Sequence, residues 1–511
     1  MPKSDLDPRT PVLAGVGQFI QRPDDPLDAL EPLAMMAEAV EAAARDATGR
    51  TGDGAALAPA ARATHIWVVK GAWPYTDPAA LLAQRFGADC RTGLSGDGGN
   101  TPQSLVNKAC LAIAAGDAEV VVIVGAEGIW SRRRARRGGL RIPYTDQPDA
   151  TPDVFLGDAL GDDVVMSHPV ELERGLSLPV NLYPLFESAY RHARGESVEA
   201  HRDRVAALWE RFNEVAVANP YSWVRTPMTA AEIREPGPHN RLVGFPYTKA
   251  MNSNWDLDQA AALILCSAAA ADAAGVPHDR WVFPHAGTDG HDTWYVSNRG
   301  DLHSSPAIRV AGRHALELAG VGPDDLDHVD LYSCFPSAVQ IAADELGLGH
   351  DRPLTVTGGL TFAGGPLNNY VTHSIATMAG VLRDSPGAVG LCSANGGYLT
   401  KHAFGVYSTD PPAAGGFRHR DCQEEIDRFP SVELAADHTG PATLEAYTVM
   451  HDADGPEVAL AAVRVAGADG TDAGPRQWAT SRDPQLMDRL LVGEHVGHAV
   501  EVTADFEFAP A

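Results

Sequence analysis

Two glycine-rich turns carry the densest polar chemistry in this chain. The first, Gly96-Asp-Gly-Gly-Asn100, brings Asp97, Gly98 and Asn100 together just before Thr101-Pro102 opens a helix. The second region runs from Gly358 through Gly364 and Gly365 to Asn368, Asn369, Tyr370 and His373. A third turn, Cys392-Ser-Ala-Asn-Gly-Gly397, holds Asn395 and precedes Lys401 and His402. Tyr332, at the end of an apolar strand, has a hydroxyl able to polarise or deprotonate a substrate hydroxyl. Each of these residues also has a plainer use. Asp97 and Asn100 suit turns and caps, Cys392 a buried strand end, Tyr332 a core with its hydroxyl satisfied, and the two histidines a structural role. The run Arg132-Arg-Arg-Ala-Arg-Arg137 is either a solvated face or a docking site for phosphates. No GxGxxG, Walker, GxSxG or HExxH pattern occurs, and Gly15-Val-Gly17 lacks the third glycine.

The elements around these residues follow an α/β rhythm. Pro11–Gly17, His65–Lys70, Thr92–Gly96 and Glu119–Val124 read as apolar strands; Leu27–Ala47, Pro78–Phe86 and the segment from Thr101 to Gly116 read as helices. Apolar strands alternating with helices predict a parallel sheet covered on both faces. Residues 130–245, with the Arg run, several prolines and a polar helix over Val198–Ala218, read as a loop or lid insertion within an N-terminal half, 1–245. The rhythm resumes over 246–409, with strands at His328–Ser333, Leu354–Thr357 and Ala388–Cys392. The unit 92–127 resembles the unit 354–397, which suggests an internal duplication. Asp410–Gly416 has the composition of a linker. Beyond it, short strands and one helix at Pro484–Leu491 suggest a small OB-like β-barrel over 410–511.

Composition narrows the function. The chain has 511 residues, 40 basic against 67 acidic, and a net charge of −27, which argues against nucleic acid or an anionic membrane as partner. From Pro411 onward there are 7 Arg, no Lys and 18 acidic residues, the wrong sign for a nucleic-acid-binding barrel. Six cysteines without a CxxC exclude a disulfide framework and a structural zinc site, so no metal is expected. The polar N-terminus and a longest apolar stretch of 12 residues, Ala260–Ala271, fit a cytoplasmic protein without a membrane span.

Five segments in order resemble the thiolase superfamily. Val120–Val124 with Gly125-Ala-Glu127 resembles the "GG-E" strand end, and Asn252–Ala261 the "N-x-S-x-x-N-D-G-A-A" segment. Leu331-Tyr-Ser-Cys-Phe-Pro336 sits where sterol-carrier-type thiolases have "H-D-C-F" and others "N-E-A-F". Gly358–Pro366 resembles "G-G…G-H-P", and Cys392–Gly397 the "C-x-G-G-G" turn. The set is most similar to actinobacterial thiolase-like proteins of type 1, often labelled acetyl-CoA acetyltransferase, which carry an additional C-terminal domain. The resemblance implies an α/β, duplicated five-layered (αβαβα) fold. It also implies a coenzyme A thioester as substrate, no tightly bound cofactor, and a monomer or homodimer in lipid metabolism.

The family's chemistry needs a cysteine at a strand-to-helix elbow, a "G-H-P" histidine as its base and a second cysteine in "C-x-G". The alignment puts Gly98 at the elbow and Gly365 at the histidine, with Tyr332 and Ser333 in place of "N-E" or "H-D"; Cys392 is kept. Cys90 falls before the strand and Cys110 inside the helix. The resemblance therefore implies an acyl-CoA site without ordinary thiolysis. Its candidate catalytic residues are Cys392, Tyr332, His373 and His402. Asp97, Gly98, Asn100, Gly365, Asn369 and Asn395 are expected in the substrate pocket, and Arg132, Arg133 and Arg134 on the phosphates of coenzyme A. Three functions stay open: acyltransferase, Tyr332-based carbon–carbon lyase of the retro-aldolase kind, and non-catalytic acyl-CoA-binding scaffold.

Overall fold

The helix Thr101–Ala115 buries Gln103, Ser104 and Asn107. Buried polar groups must be hydrogen-bonded, and their partners explain where the helix lies. Ser104 Oγ donates to the Asp289 carboxylate, and Asn107 Nδ2 donates to it at 2.9 Å. Tyr407 donates its hydroxyl to Gln103 Oε1 at 2.7 Å. Asp289 and Tyr407 belong to a second sheet, so this helix is held between two sheets. The computed structural model describes residues 6–50, 56, 58–157, 166–412, 416–466 and 474–511.

The first sheet has the strand order Pro11–Ile20, Asp258–Ser267, Val120–Gly128, His65–Val68, Arg91–Ser95, Val154–Leu156. The second runs His328–Asp330, Val389–Gly396, Lys401–Ser408, Phe283–His291, Arg418–Asp421. Thr101–Ala115 and Tyr370–Asp384 pack between the two, Pro32–Thr48 covers the outside of the first, and Pro306–Ala319, with Pro336–Glu345 packed beside it, covers the second. These are the five layers, αβαβα. The sheets are mixed rather than parallel. Asp258–Ser267 runs antiparallel to both neighbours, and Val389–Gly396 and Lys401–Ser408 form a hairpin. The turn between those two strands spans only 397–400, too short for the crossover that parallel neighbours require.

The halves repeat as glycine turn, central helix and strand, but Leu354–Thr357 is not a strand. Its hydrogen bonds go instead to Asp330, a fully buried carboxylate. Asp330 Oδ1 accepts from Thr355 Oγ1 at 2.8 Å and from the backbone N–H of Val356 at 2.9 Å and Thr357 at 3.3 Å. Its Oδ2 accepts from the Tyr370 hydroxyl at 2.9 Å. The linker expected at Asp410–Gly416 falls partly outside the described residues. Arg418–Asp421, beyond it, is the fifth strand of the second sheet.

A third sheet runs Arg476–Ser481, Pro456–Val465, Gly440–His451, Ala499–Val502, Phe508–Pro510, and Leu242–Gly244 joins it beside Met450. Its two end strands meet at one bridge, Thr480 with Glu507, and no continuous ladder closes a barrel among the described residues. Two buried arginines dock it. Arg191 pairs with Glu494 at 2.9 Å and donates to the Tyr447 hydroxyl at 3.0 Å. Arg476 pairs with Glu445 at 2.6 Å and donates to the carbonyls of Val296, Ser297 and Arg299.

Replacing Asp330 with alanine strands several buried donors at once. Asp330→Ala is expected to lose about 3 kcal/mol or more of stability, read as a lowered urea midpoint; an unchanged midpoint contradicts this account of the 354–357 loop.

Candidate functional site

The strand Arg91–Ser95 ends at the turn that carries Gly98 and Gly99, and the hairpin of the second sheet brings Asn395, Gly396 and Gly397 to face it. The two turns meet backbone to backbone. A Cβ at Gly396 would stand 3.2 Å from the Gly98 Cα, and one at Gly99 would stand 2.4 Å from the Asn395 carbonyl oxygen. Gly98 has φ +148°, a conformation that side-chain-bearing residues rarely adopt. A Cβ there would lie 2.4 Å from Asn100 Oδ1 and 2.7 Å from Lys401 Nζ. Side chains fix the turn from both halves. Asn368 Oδ1 accepts from the Gly98 N–H at 3.0 Å, and Asn368 Nδ2 donates to Asp97 at 3.1 Å. Lys70 pairs with the Asp97 carboxylate at 2.7 Å, and Lys401 donates to the Asp97 carbonyl at 2.5 Å.

Beside these turns opens a cavity of about 530 Å³. Asp97, Gly98, Tyr332, Gly365 and Asn395, all expected in the site, line it. Its apolar wall was not legible in the sequence. Pro179, Val180 and Tyr183 come from the 130–245 region, and Trp255, Phe335 and Leu360 complete it. Tyr183 stacks on Phe335 with ring centroids 4.4 Å apart. The Tyr332 hydroxyl faces Gly99, where a Cβ would be 2.3 Å from it. Burial raises the Tyr332 phenol well above its ordinary pKa, so it stays protonated. Cys334 also lines the cavity, and burial pushes its thiol up to about 12. It stands in the Leu331–Pro336 segment, two residues beyond Tyr332. Asn395 donates from Nδ2 to the Tyr183 hydroxyl at 3.0 Å, while its buried Oδ1 has no partner among the described residues. A buried acceptor in a cavity wall is suited to an N–H or O–H of a bound ligand.

The remaining expected residues lie apart from this cavity. Asn100 is buried beneath the elbow, against Gly98 and Gly396. Asn369 donates to the Gly125 carbonyl at 2.8 Å, tying the second central helix to the first sheet. Cys392 is fully buried, and strand alternation sends it to the face opposite Ser393 and Asn395. Burial, with Asp330 nearby, raises its thiol, which removes it as a thiolate. His373 holds Gln18 through Nδ1 at 2.7 Å, and its Nε2 has no partner among the described residues. His402 bonds the Leu399 carbonyl at 3.1 Å. The Arg run divides. Arg133 pairs with Asp256, and Arg134 donates to the carbonyls of Pro23 and Asp24 at 2.7 Å, so both are engaged within the fold.

A crystal structure of a monomeric SCP2-thiolase-like protein type 1 from Mycobacterium smegmatis is 30% identical, covers 99% of this chain and all of its own, and superposes with a TM-score of 0.81. The chain belongs to the thiolase-like proteins of type 1. Residues 421–507 match the family model "Thiolase-like protein type 1 additional C-terminal domain", and 288–368 match "Thiolase C-terminal domain-like". An acetyl-CoA acetyltransferase of Methanothermobacter thermautotrophicus is 24% identical over 294 residues, 54% of this chain and 67% of that one. The Ltp2-ChsH2(DUF35) aldolase shares the thiolase fold at 18% identity, with a TM-score of 0.58 over 79% of this chain and 98% of its own. Within the thiolase-like fold, the elbow of this chain is built around glycine.

Burial pushes the imidazole of His402 down to about 4 and that of His373 down to about 3, so both are neutral in the folded protein. In the unfolded chain they bind protons near the ordinary value of about 6.5. Their neutral burial therefore stabilises the fold above pH 6.5 and is lost as pH falls towards 4. For His402 this is of the order of 3 kcal/mol at full titration. Urea midpoints should drop steeply between pH 6.5 and 4.5, and less steeply in His402→Gln; identical slopes count against a neutral buried ring.

Proposed function

We propose that this protein binds an acyl-CoA thioester in the cavity beside Gly98 and does not carry the acyl group on a cysteine. One observation carries this reading: the Cβ direction at Gly98 is filled by Asn100 and Lys401. At Gly365, too, a Cβ would lie 2.3 Å from Ser253 Oγ. The thiol in the cavity wall, Cys334, is held in its protonated form by burial. We assign the polarising role to Tyr332, the substrate contacts to Asp97 and Asn395, and no direct role to Cys392, His373 or His402. Coenzyme A is then a substrate rather than a resident cofactor. The strand Val154–Leu156 covers the edge of the first sheet beyond Arg91–Ser95, which supports the monomer of the two states left open. The six unpaired cysteines support a reducing, cytoplasmic setting.

Isothermal titration with acetoacetyl-CoA should show binding to the wild-type protein. Intact-mass analysis should show no acyl adduct, in the wild type or in Gly98→Cys, which is also expected to lack thiolysis. An acylated cysteine in either protein overturns the proposal.

A second reading, carbon–carbon cleavage of a β-hydroxyacyl-CoA, is favoured by the protonated Tyr332 phenol. Transfer of the β-hydroxyl proton to a base, for which Asp97 is the carboxylate lining the cavity, would break the Cα–Cβ bond and send its electrons onto the thioester carbonyl, where the Tyr332 hydroxyl is the fitting proton donor. The aldolase neighbour shares this fold. On this reading a β-hydroxyacyl-CoA panel releases an aldehyde or ketone, with the rate in Tyr332→Phe down about 100-fold or more. No carbonyl product from the wild type removes the lyase reading.

A further inference from the structure

The helix Ile129–Arg137 follows the strand Val120–Gly128 and places Arg132 and Arg136 one turn apart on the same face. Arg141 returns beside them after Gly138-Gly139, and the three line one cavity of about 590 Å³. The cavity's other walls are aromatic or apolar: Trp73, Pro74, Ile142 and Tyr144. Among the described residues no carboxylate lines it, in a chain whose net charge is −27. The Arg132 guanidinium donates to the Ala72 carbonyl, while Arg136 and Arg141 have no side-chain partner among the described residues. Glu127 lies behind Ala72 and accepts its N–H at 2.9 Å; burial pushes that carboxyl up to about 7. The helix dipole accounts for cations in the last turn, Arg136 among them, but not for Arg132 in the first half of the helix or Arg141 beyond it. Like charges facing one another repel, so three guanidiniums around one cavity are suited to an anion. The cavity shares no lining residue with the acyl cavity. Lys70, which follows the strand His65–Val68, is tied to Asp97 of the acyl cavity, and Ala72, two residues on, lines this one.

We propose that Arg132, Arg136 and Arg141 form a phosphate-ester site whose ligand is a nucleotide, with Trp73 and Tyr144 set against its flat ring. The nucleotide is either the phosphorylated end of the acyl-CoA, which rests on the reading above, or a free nucleotide, which does not.

The test is calorimetry on the full chain with adenosine 3′,5′-bisphosphate. Arg136→Glu/Arg141→Glu changes two exposed side chains and should keep the wild-type melting temperature while weakening binding at least tenfold. Arg132→Gln should weaken it as well. Displacement of the bisphosphate by acetoacetyl-CoA supports the coenzyme end as the ligand; simultaneous binding supports a free nucleotide. Wild-type affinity in the double variant, no bisphosphate binding by the wild type, or inorganic phosphate binding as tightly as the bisphosphate each overturns the proposal. An S-acyl-pantetheine, which has no nucleotide, reads the acyl cavity separately. If it fails to bind while the bisphosphate binds, the acyl-CoA reading fails and this one stands.

Discussion

The site depends on a backbone-to-backbone contact between Gly98–Gly99 of one half and Asn395–Gly397 of the other. Two chains can approach this closely only where neither carries a Cβ between them. The contact sets where Asn395 and Tyr332 stand, and it leaves Asn100 and Lys401 in the space beneath the elbow. A side chain at Gly98 would compete for volume with the Asn100 amide and the Lys401 ammonium. Glycine at the elbow is thus fixed by architecture, because its surroundings fill the space a side chain would need.

That closure is held by charges and amides drawn from distant parts of the chain. Asn368 reaches back to Gly98 and Asp97, Lys70 pairs with Asp97, and Lys401 bonds its carbonyl. Behind them, Asp330 organises the 354–357 loop and Tyr370, whose ring packs edge-on against Tyr332. The tyrosine assigned to chemistry is therefore positioned by a carboxylate that never touches the cavity.

The sequence made the layers readable because strands and helices alternate with strong apolar periodicity, and the glycine turns marked where those layers would be interrupted. Five of the residues singled out, on the turns and at a strand end, line the cavity: Asp97, Gly98, Tyr332, Gly365 and Asn395. The misses have physical causes. The partners of the polar Gln103, Ser104 and Asn107 are Asp289 and Tyr407, more than 180 residues away in the chain and inside the molecule. Leu354–Thr357 has strand composition, but a single buried carboxylate outbid the ladder. Cys392 matched a motif, while the two-residue period of its strand turned it away from the cavity. Tyr183 and Val180 belong to a region without a recognisable pattern, and only tertiary packing brings them to the wall.

The first sheet ends on Val154–Leu156 and not on the strand that leads to the elbow. The strand Arg91–Ser95 is paired on both sides within its own chain and offers no hydrogen-bonding template to a second copy. In the monomer proposed above, folding free energy would be a property of one molecule and would not rise with protein concentration, as it does for an obligate dimer. The elbow is buttressed from within, so in that monomer dilution would leave its geometry intact.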